Sequence, residues 1–258
     1  MKIGSIHKSI IDLLARYFGI KSTELTNYYL DIESSYNSDI NNSSVGFLSL
    51  EKFSKIKFQN EKTINNWENA SLIGVDIPLF INNNNTNSET VVIIGIDPLR
   101  KRKDFNDFDH GNVILGTPYA LHSKFYREKR SRTKSYYYFV KHLVSKGYNV
   151  YLTDIFKIWM NDFKKTEKDR FFLSEETFFY EILITELEFI QPKVIVAFGD
   201  LVEEYLKKIK LSEKFEIIKL PHPSGSNNKK WKTILKEECT CDKKIMFLCS
   251  EIDKYLKN

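Results

Sequence analysis

The chain has few of the features that assign a protein to a specialised class. Its three cysteines, Cys239, Cys241 and Cys249, are too few and too close together for a disulfide framework or a four-thiolate cluster. No apolar run approaches the length that crosses a bilayer, so we expect no membrane partner. No group of ligand residues indicates a metal or a cofactor, and we expect neither. The net charge of +5 is too small to identify a polyanionic partner by itself.

The chain does have the length and composition of a globular protein built on one sizeable domain. It has 258 residues, of which 42% are hydrophobic and 28% are charged. Apolar residues near its start are spaced as in an amphipathic helix, at Ile6, Ile10, Leu13, Leu14 and Phe18. Charged residues interrupt this segment and no cleavage site follows, so it does not resemble a secretory signal. We therefore expect a cytoplasmic protein, and we expect a monomer.

Two regions of the chain differ in their pattern. Residues 1–88 combine the first helix, an Asn/Ser-rich stretch at 34–44, a short helix near Glu51 and an Asn-rich segment at 81–89 that we expect to be a loop. This pattern predicts a helical and loop extension packed on the core. Residues 89–258 alternate strands with helices, and the four strands read "VVIIGI", "YNVYLTDIF", "KVIVAFG" and "FEIIKL". Such alternation predicts an α/β domain, a three-layer αβα sandwich around a parallel sheet of about four strands.

Two short segments carry the strongest functional signal. They are "VVIIGIDPLR" at 91–100 and "LPHPSGSNN" at 220–228, and each leads from an apolar strand into a Pro/Gly turn. In a parallel α/β sheet such turns meet at the carboxyl edge of the strands, where ligands bind. We therefore expect the carboxylate of Asp97 and the imidazole of His222 to face one pocket.

Four segments together resemble the uracil-DNA glycosylase superfamily. They are "GIDPLR" at 95–100, "GTPYALHS" at 116–123, "YLTDIFK" at 151–157 and "HPSG" at 222–225, and they occur in the family's order and spacing. The resemblance implies a uracil-DNA glycosylase-like fold, DNA as the partner and hydrolysis of the bond between a base and its sugar. It implies no metal and no cofactor.

The resemblance also implies a role for individual residues. Asp97 would stabilise positive charge on the sugar and orient a water, and His222 would donate a hydrogen bond to the departing base. Tyr119 would stack on the extruded base and Asp154 would read its edge. The remaining substrate-binding candidates are Gly95, Ile96, Pro98, Leu99 and Ser224. No Lys lies within either motif, so we expect a monofunctional enzyme, although Lys101 and Lys157 are close enough to keep a lyase step open.

Basic runs flank the motifs and are candidates for contacts with the DNA backbone. The predicted DNA-binding residues are Arg100, Lys101, Arg102, Lys124, Arg130, Arg132, Gly225, Ser226, Asn227 and Lys229. The loop 224–228 would press into the minor groove. Many relatives place a Leu there as a wedge, whereas this chain has Ser226 and two asparagines. Either Trp231 is an alternative wedge, or the enzyme prefers single-stranded DNA or already weakened pairs, so the partner is DNA in duplex or single-stranded form.

Two departures from the family pattern bear on which base is removed. Leu99 replaces a Tyr that blocks bases bulky at the fifth ring position, and Asp154 replaces a base-reading Asn. An ionised Asp offers only acceptors, which match the exocyclic amine of cytosine. The hypothesis is a glycosylase for a 5-substituted cytosine, such as glucosylated hydroxymethylcytosine in phage DNA, with antiviral defence as the setting. Uracil or mismatch excision, a non-catalytic nucleic-acid-binding module and a hydrolase of free nucleotides are the alternatives.

Overall fold

The computed structural model describes residues 2–18, 20–37, 48–49, 73–83, 88–97, 113–122, 127, 131–160, 173–223 and 228–256. Within these residues there are ten strands and seven α-helices. In chain order they are β1 (Lys2–Ile3), α1 (Lys8–Phe18), α2 (Ser22–Asn37), β2 (Leu48–Ser49), β3 (Ile73–Asp76), β4 (Leu79–Asn82), β5 (Thr90–Gly95), β6 (Val113–Gly116), α3 (Ser131–Ser145), β7 (Asn149–Asp154), β8 (Ile158–Met160), α4 (Leu173–Ile190), β9 (Val194–Phe198), α5 (Asp200–Lys208), β10 (Ile217–Leu220), α6 (Asn228–Leu235) and α7 (Cys241–Leu256).

The main sheet has six strands in the order β1-β4-β7-β5-β9-β10. Its last four strands run parallel, which confirms the predicted parallel sheet of about four strands. β4 and β1 extend it as antiparallel strands. In the parallel part, Gly95 lies beside Asp154, and Phe198 lies beside Leu220.

Helices cover both faces of this sheet, as the α/β prediction requires. α3 and α7 pack on each other and against β7 and β10. Tyr151 and Thr153 point to the opposite face of β7, where their hydroxyls donate to Glu186 of α4. On this face α1 packs against both α4 and α2. Every residue of β7 and β9 is buried, which is typical of parallel strands covered on both faces.

A second sheet, which the sequence did not predict, lies beside the first. Its order is β2-β6-β3-β8, and β3 is parallel to β6. The chain connects it to the main sheet, because β7 of the main sheet is followed after three residues by β8. The Asp76 amide extends the pairing of β3 with β8 by donating to the Lys157 carbonyl at 2.9 Å. The second sheet matters for function because the chain leaves β6 directly into the segment 117–120.

The predictions for residues 1–88 agree with the structure only in part. α2 extends through part of the stretch that was predicted to be irregular, and the short helix expected near Glu51 lies outside the described residues. The start of the expected Asn-rich loop belongs to β4, whereas 84–87 are not among the described residues. The domain division at residue 88 stays a prediction. β1 and β4 both lie before this residue, and both pair within the main sheet.

Candidate active site

The carboxyl edge of the parallel strands collects the predicted site residues. Asp97 follows β5 by two residues, Asp154 ends β7, and His222 follows β10 by two residues. β5 and β10 are separated only by β9, so their ends are about 10 Å apart at the usual spacing of strands. The turns that bear Asp97 and His222 therefore leave the sheet at the same edge, on either side of the end of β9.

The ends of β5 and β7 are held together beyond the strands themselves. The amides of Ile155 and Phe156 donate to the carbonyls of Gly95 and Ile96, each at 3.0 Å. Asp154 is 3% exposed, and its carboxylate lies over the Cα of Gly95. A side chain at position 95 would overlap Asp154 Oδ1 and would come within 2.8 Å of the Tyr119 hydroxyl. Glycine is therefore required there by close packing, and it brings these two side chains to one point.

Tyr119 reaches this point from the second sheet through a strained turn. Tyr119 has φ of +58° and Ala120 has φ of +52°, a left-handed conformation that costs free energy for residues with a side chain. Arg127 fixes the turn by donating to the carbonyls of Leu121 and His122, both at 2.9 Å. Such strain persists only where the surroundings impose it, which indicates that the position of the Tyr119 ring is determined by the fold.

The Tyr119 ring is stacked face to face on the ring of Tyr136 from α3. The ring centroids are 3.8 Å apart and the planes differ by 11°. One face of Tyr119 is thus covered by Tyr136, and its predicted role in stacking on a base stays a prediction. Burial, followed by the charges of Tyr136, Asp154 and Asp76, raises the pKa of Tyr119 well above its ordinary value, so the phenol stays protonated. Asp76, at the end of β3, is a buried carboxylate near the site that the sequence analysis missed.

Tyr136 also contacts the second motif. Its hydroxyl lies 3.1 Å from Nδ1 and 3.0 Å from Nε2 of His222. Burial, followed by the charge of Asp154, raises the pKa of Tyr136 well above its ordinary value, so it keeps its O–H. The sequence analysis treated Tyr136 only as part of a helix, since a buried tyrosine on an apolar face gives no separate signal.

The imidazole of His222 is uncharged at neutral pH. Burial, followed by the positive charge of Lys244, lowers the pKa of His222 from 6.5 to about 4. A neutral imidazole has one N–H to donate and one nitrogen to accept. A neutral imidazole can therefore donate one hydrogen bond to an oxygen that gains negative charge.

Two residues downstream support the backbone of the second motif. Trp231 Nε1 donates to the His222 carbonyl at 2.9 Å, and Trp231 is 0% exposed. Lys244 Nζ donates to the Pro223 carbonyl at 3.2 Å and to Asn228 Oδ1 at 2.9 Å, so it bridges the two ends of the segment 224–227. A fully buried indole that holds His222 cannot also fill a gap in a duplex, and the wedge alternative for Trp231 is therefore wrong.

Comparison with protein families identifies the chain. The family model for the uracil DNA glycosylase superfamily matches residues 82–245, which is more than half of the chain and includes both motifs. The chain belongs to the uracil-DNA glycosylase superfamily. Among curated proteins there is no significant match. Superfamily membership implies DNA glycosylase activity, with DNA as the substrate and hydrolysis as the reaction.

A buried ion pair lies beside the carboxyl end of β7. Lys157 Nζ is 2.6 Å from Glu186 Oε2, and the two side chains are 1% and 0% exposed. Lys157 also donates to Thr153 Oγ1 and, at 2.7 Å, to the Asp154 carbonyl. Glu186 accepts from the Tyr151 hydroxyl at 3.0 Å and from Thr153 Oγ1 at 3.1 Å. This network fixes the backbone at Asp154 from below.

Several predicted contact residues of the glycosylase lie outside the described residues. These are Pro98, Leu99, Ser224, Arg100, Lys101, Arg102, Lys124, Arg130, Gly225, Ser226 and Asn227. Arg132 lies in α3 and Lys229 is exposed at the start of α6. Their proposed roles in binding DNA stay predictions.

A surface groove adjoins the second motif of the glycosylase. It has a volume of about 300 Å³ and is lined by residues that include Gly199, Lys219, Pro221 and Lys230. Its two lysines pair with Asp200 at 3.4 and 2.6 Å. Among the described residues there is no group of three or more His, Cys, Asp or Glu side chains that could hold a metal ion. None of the helices in the described ranges is long and apolar enough to span a membrane.

Proposed function

We propose that this chain is a monofunctional DNA glycosylase that removes a 5-substituted cytosine, such as glucosylated hydroxymethylcytosine, from phage DNA. The observation that carries the proposal is the buried carboxylate of Asp154 beside Tyr119 at the edge of the sheet. An ionised carboxylate only accepts hydrogen bonds, and the exocyclic amine of cytosine donates them, whereas uracil presents a carbonyl at that position. The sequence also has Leu99 where uracil-removing relatives commonly have a Tyr that blocks bases bulky at the fifth ring position.

The proposed reaction divides the charge of bond cleavage between two residues. As the glycosidic bond breaks, positive charge develops on the sugar and negative charge on the base. Asp97 stabilises the sugar and orients the attacking water, while His222 donates its N–H to the base carbonyl. The lowered pKa of His222 supports this role, because the ring is neutral and can donate throughout the physiological pH range.

The target base has to leave the helix before it can react. Tyr119 is the predicted surface on which the base stacks, and the segment 224–228 is the one predicted to contact the minor groove. The monofunctional assignment is supported by the enclosure of Lys157, whose ammonium is paired with Glu186 and cannot reach a sugar carbon. Lys101 lies outside the described residues.

Excision assays on defined duplexes test the proposal. Duplexes that contain glucosylated hydroxymethylcytosine, cytosine, uracil or a mismatch are incubated with the protein, and alkali converts abasic sites into strand breaks. We expect breaks only at the modified cytosine, and Asp97→Asn should slow the reaction by about 10²–10⁴-fold while DNA binding is retained. Breaks confined to uracil or to the mismatch would favour the repair alternative, and cleavage of free nucleotides would favour a nucleotide hydrolase. Binding without turnover on any duplex would favour the non-catalytic module.

A substitution at Asp154 tests how the base is read. Asp154→Asn should shift the ratio of uracil excision to excision of glucosylated hydroxymethylcytosine by about 10–100-fold toward uracil, which is the discrimination that one pair of base contacts provides. Asp31→Asn removes an exposed carboxylate on α2 and serves as the control, with the ratio unchanged. An unaltered ratio in Asp154→Asn would mean that the base is read elsewhere.

The biological setting can be tested in bacterial cells. Expression of the wild-type chain should reduce plaque formation by phages whose DNA carries glucosylated hydroxymethylcytosine, and Asp97→Ala should abolish this protection. Phages that carry unmodified cytosine should form equal numbers of plaques on cells with and without the wild-type chain. Protection that persists in Asp97→Ala would contradict a defence based on excision.

A further inference from the structure

The outer face of α3 carries an exposed aromatic ring between two lysines. Tyr138 is 38% exposed, and the ammonium groups of Lys134 and Lys141 lie 5.5 and 6.0 Å from the centroid of its ring. The three residues are four and three positions apart, so they form one stripe along the helix, which we call the α3 stripe. The ring of Tyr137 meets the Tyr138 ring edge-on, with centroids 5.4 Å apart, and supports it from one side.

The positive charge of the α3 stripe is not balanced by carboxylates. None of the 15 residues of α3 is acidic, and neither Lys134 nor Lys141 pairs with a carboxylate in the described part of the chain. The other exposed aromatic rings among the described residues, Phe189 and Tyr255, lie on helices that carry acidic side chains. Two uncompensated ammonium groups beside an exposed ring fit a partner that combines negative charge with flat aromatic groups. Single-stranded nucleic acid has this chemistry.

The α3 stripe lies close to the candidate active site. Tyr136, two residues before Tyr138, stacks on Tyr119 and so places this turn of α3 beside the motifs. An α-helix has 3.6 residues per turn, so the buried Tyr136 and the exposed Tyr138 point to nearly opposite sides of it. The helix is about 10 Å wide, which is the length of about three nucleotides of one strand. A strand that leaves the site beside Tyr136 can therefore reach Tyr138.

The second motif favours a target base that is not paired. Proteins that force a duplex open frequently insert an apolar side chain between its bases. Residues 224–228 include no large apolar side chain, and the buried Trp231 indole is held by the His222 carbonyl. A single strand needs no wedge, because extruding a base costs least where no partner strand holds it.

We propose that the α3 stripe binds an unpaired nucleotide of single-stranded DNA beside the target base. The ring of Tyr138 stacks on this neighbouring base, and the ammonium groups of Lys134 and Lys141 contact the phosphates on its two sides. The inference rests on the proposed function, in which DNA is the substrate, and it adds the single strand as the preferred form of that substrate.

Binding of an unmodified oligonucleotide tests the stacking contact without relying on excision. A fluorescently labelled strand of mixed sequence, and the duplex made from it, are titrated with protein, and anisotropy gives the two Kd values. The wild-type chain should bind the single strand more tightly. Tyr138→Ala should raise the Kd for the single strand by about 5–100-fold, the contribution of one stacked base, and should leave the Kd for the duplex within about twofold.

Two variants serve as controls for the stacking contact. Tyr138→Phe keeps the ring and should bind both forms of DNA as the wild-type chain does. Tyr255→Ala removes a ring of similar exposure, 45%, from α7 and should leave both Kd values unchanged. Tyr138→Leu, which keeps an apolar side chain without a π face, should weaken single-strand binding like Tyr138→Ala and replaces that variant if it fails to fold.

The salt dependence of binding tests the two lysines. The double variant Lys134→Gln/Lys141→Gln should reduce the dependence of log Kd on log salt concentration by about 1.4, since each phosphate contact of a single strand contributes about 0.7. Lys207→Gln removes an exposed lysine that is paired with Glu203 and should leave this dependence unchanged.

Three results would overturn the proposal. They are tighter binding of the duplex by the wild-type chain, an unchanged single-strand Kd in the folded Tyr138 variants, and an equal rise of the Kd for both forms of DNA. If no base is excised from any duplex or single strand, the proposed function fails, whereas the Kd values still decide whether the α3 stripe binds an unpaired nucleotide.

Discussion

At the scale of single residues, the site depends on a histidine that the fold keeps uncharged. Burial is the main cause, and the ammonium of Lys244 adds to it. The same ammonium ties Pro223 to Asn228, so one buried cation both shapes the turn and keeps the neighbouring imidazole from taking up a proton. Lys244 of α7 therefore contributes both to the backbone geometry at His222 and, after burial, to the lowered pKa of its ring.

This arrangement predicts how stability depends on pH. The unfolded chain takes up a proton at His222 near pH 6.5, whereas the folded chain does so only near pH 4. Between these values the unfolded state binds more protons, so the free energy of unfolding falls as the pH falls. His222 should contribute a loss of up to about 3 kcal/mol across this window. Urea unfolding at pH 7 and at pH 4.5 measures this loss in the free energy of unfolding.

The comparison variant for this prediction is His222→Asn, which cannot titrate. Its free energy of unfolding should fall less between pH 7 and pH 4.5 than that of the wild-type chain. Parallel losses in the two proteins would mean that the imidazole titrates normally in the folded state, and the neutral donor in the proposed mechanism would then lack support.

At the scale of secondary-structure elements, the turn after β7 is joined to α4 by a buried ion pair between Lys157 and Glu186. Removing one partner of such a pair leaves an uncompensated charge in the interior and costs about 3–5 kcal/mol. We therefore expect Lys157→Met to lower the free energy of unfolding by an amount in this range. The double variant Lys157→Met/Glu186→Gln carries no buried charge and keeps an acceptor for Tyr151, so it should be more stable than the single variant. Urea unfolding at pH 7 gives both values.

An exposed pair of the same type provides the control for this experiment. Lys207 and Glu203 lie 2.9 Å apart on α5, and the lysine side chain is 64% exposed. Lys207→Met should change the free energy of unfolding by less than about 1 kcal/mol, since exposed pairs contribute little. If the double variant at 157 and 186 were less stable than Lys157→Met alone, the ion pair would not be the source of the cost.

Elements with a strong local pattern were predictable from the sequence, and those that depend on distant partners were not. The parallel strands are continuous apolar runs, and β5, β7, β9 and β10 lie where the pattern predicts them. The second sheet consists of strands of two to four residues, which are too short to show a period. Tyr136 and His222 are 86 residues apart, so their contact is a product of the sheet order and has no local signature.

At the scale of the whole molecule, the main sheet unites the two regions that the sequence separates. β4 covers the outer edge of β7, and β1 covers β4 in turn. α1 packs on α4, the helix that supplies Glu186, so the first helix of the chain supports the layer beneath Asp154. The family match begins at residue 82, within β4, whereas the packing begins at β1.

This packing predicts that the matched region does not fold without the first two helices. Five large side chains of α1 and α2 are at most 2% exposed, namely Ile10, Leu14, Phe18, Leu25 and Ile32. At about 1.5–3 kcal/mol each, their burial contributes about 7–15 kcal/mol, which equals the whole stability of a typical domain. A chain that starts at residue 38 should therefore lack near-ultraviolet circular dichroism and a cooperative urea transition, both of which the full chain should show. A truncated chain with a sharp transition and unchanged excision would instead establish the first two helices as a dispensable extension.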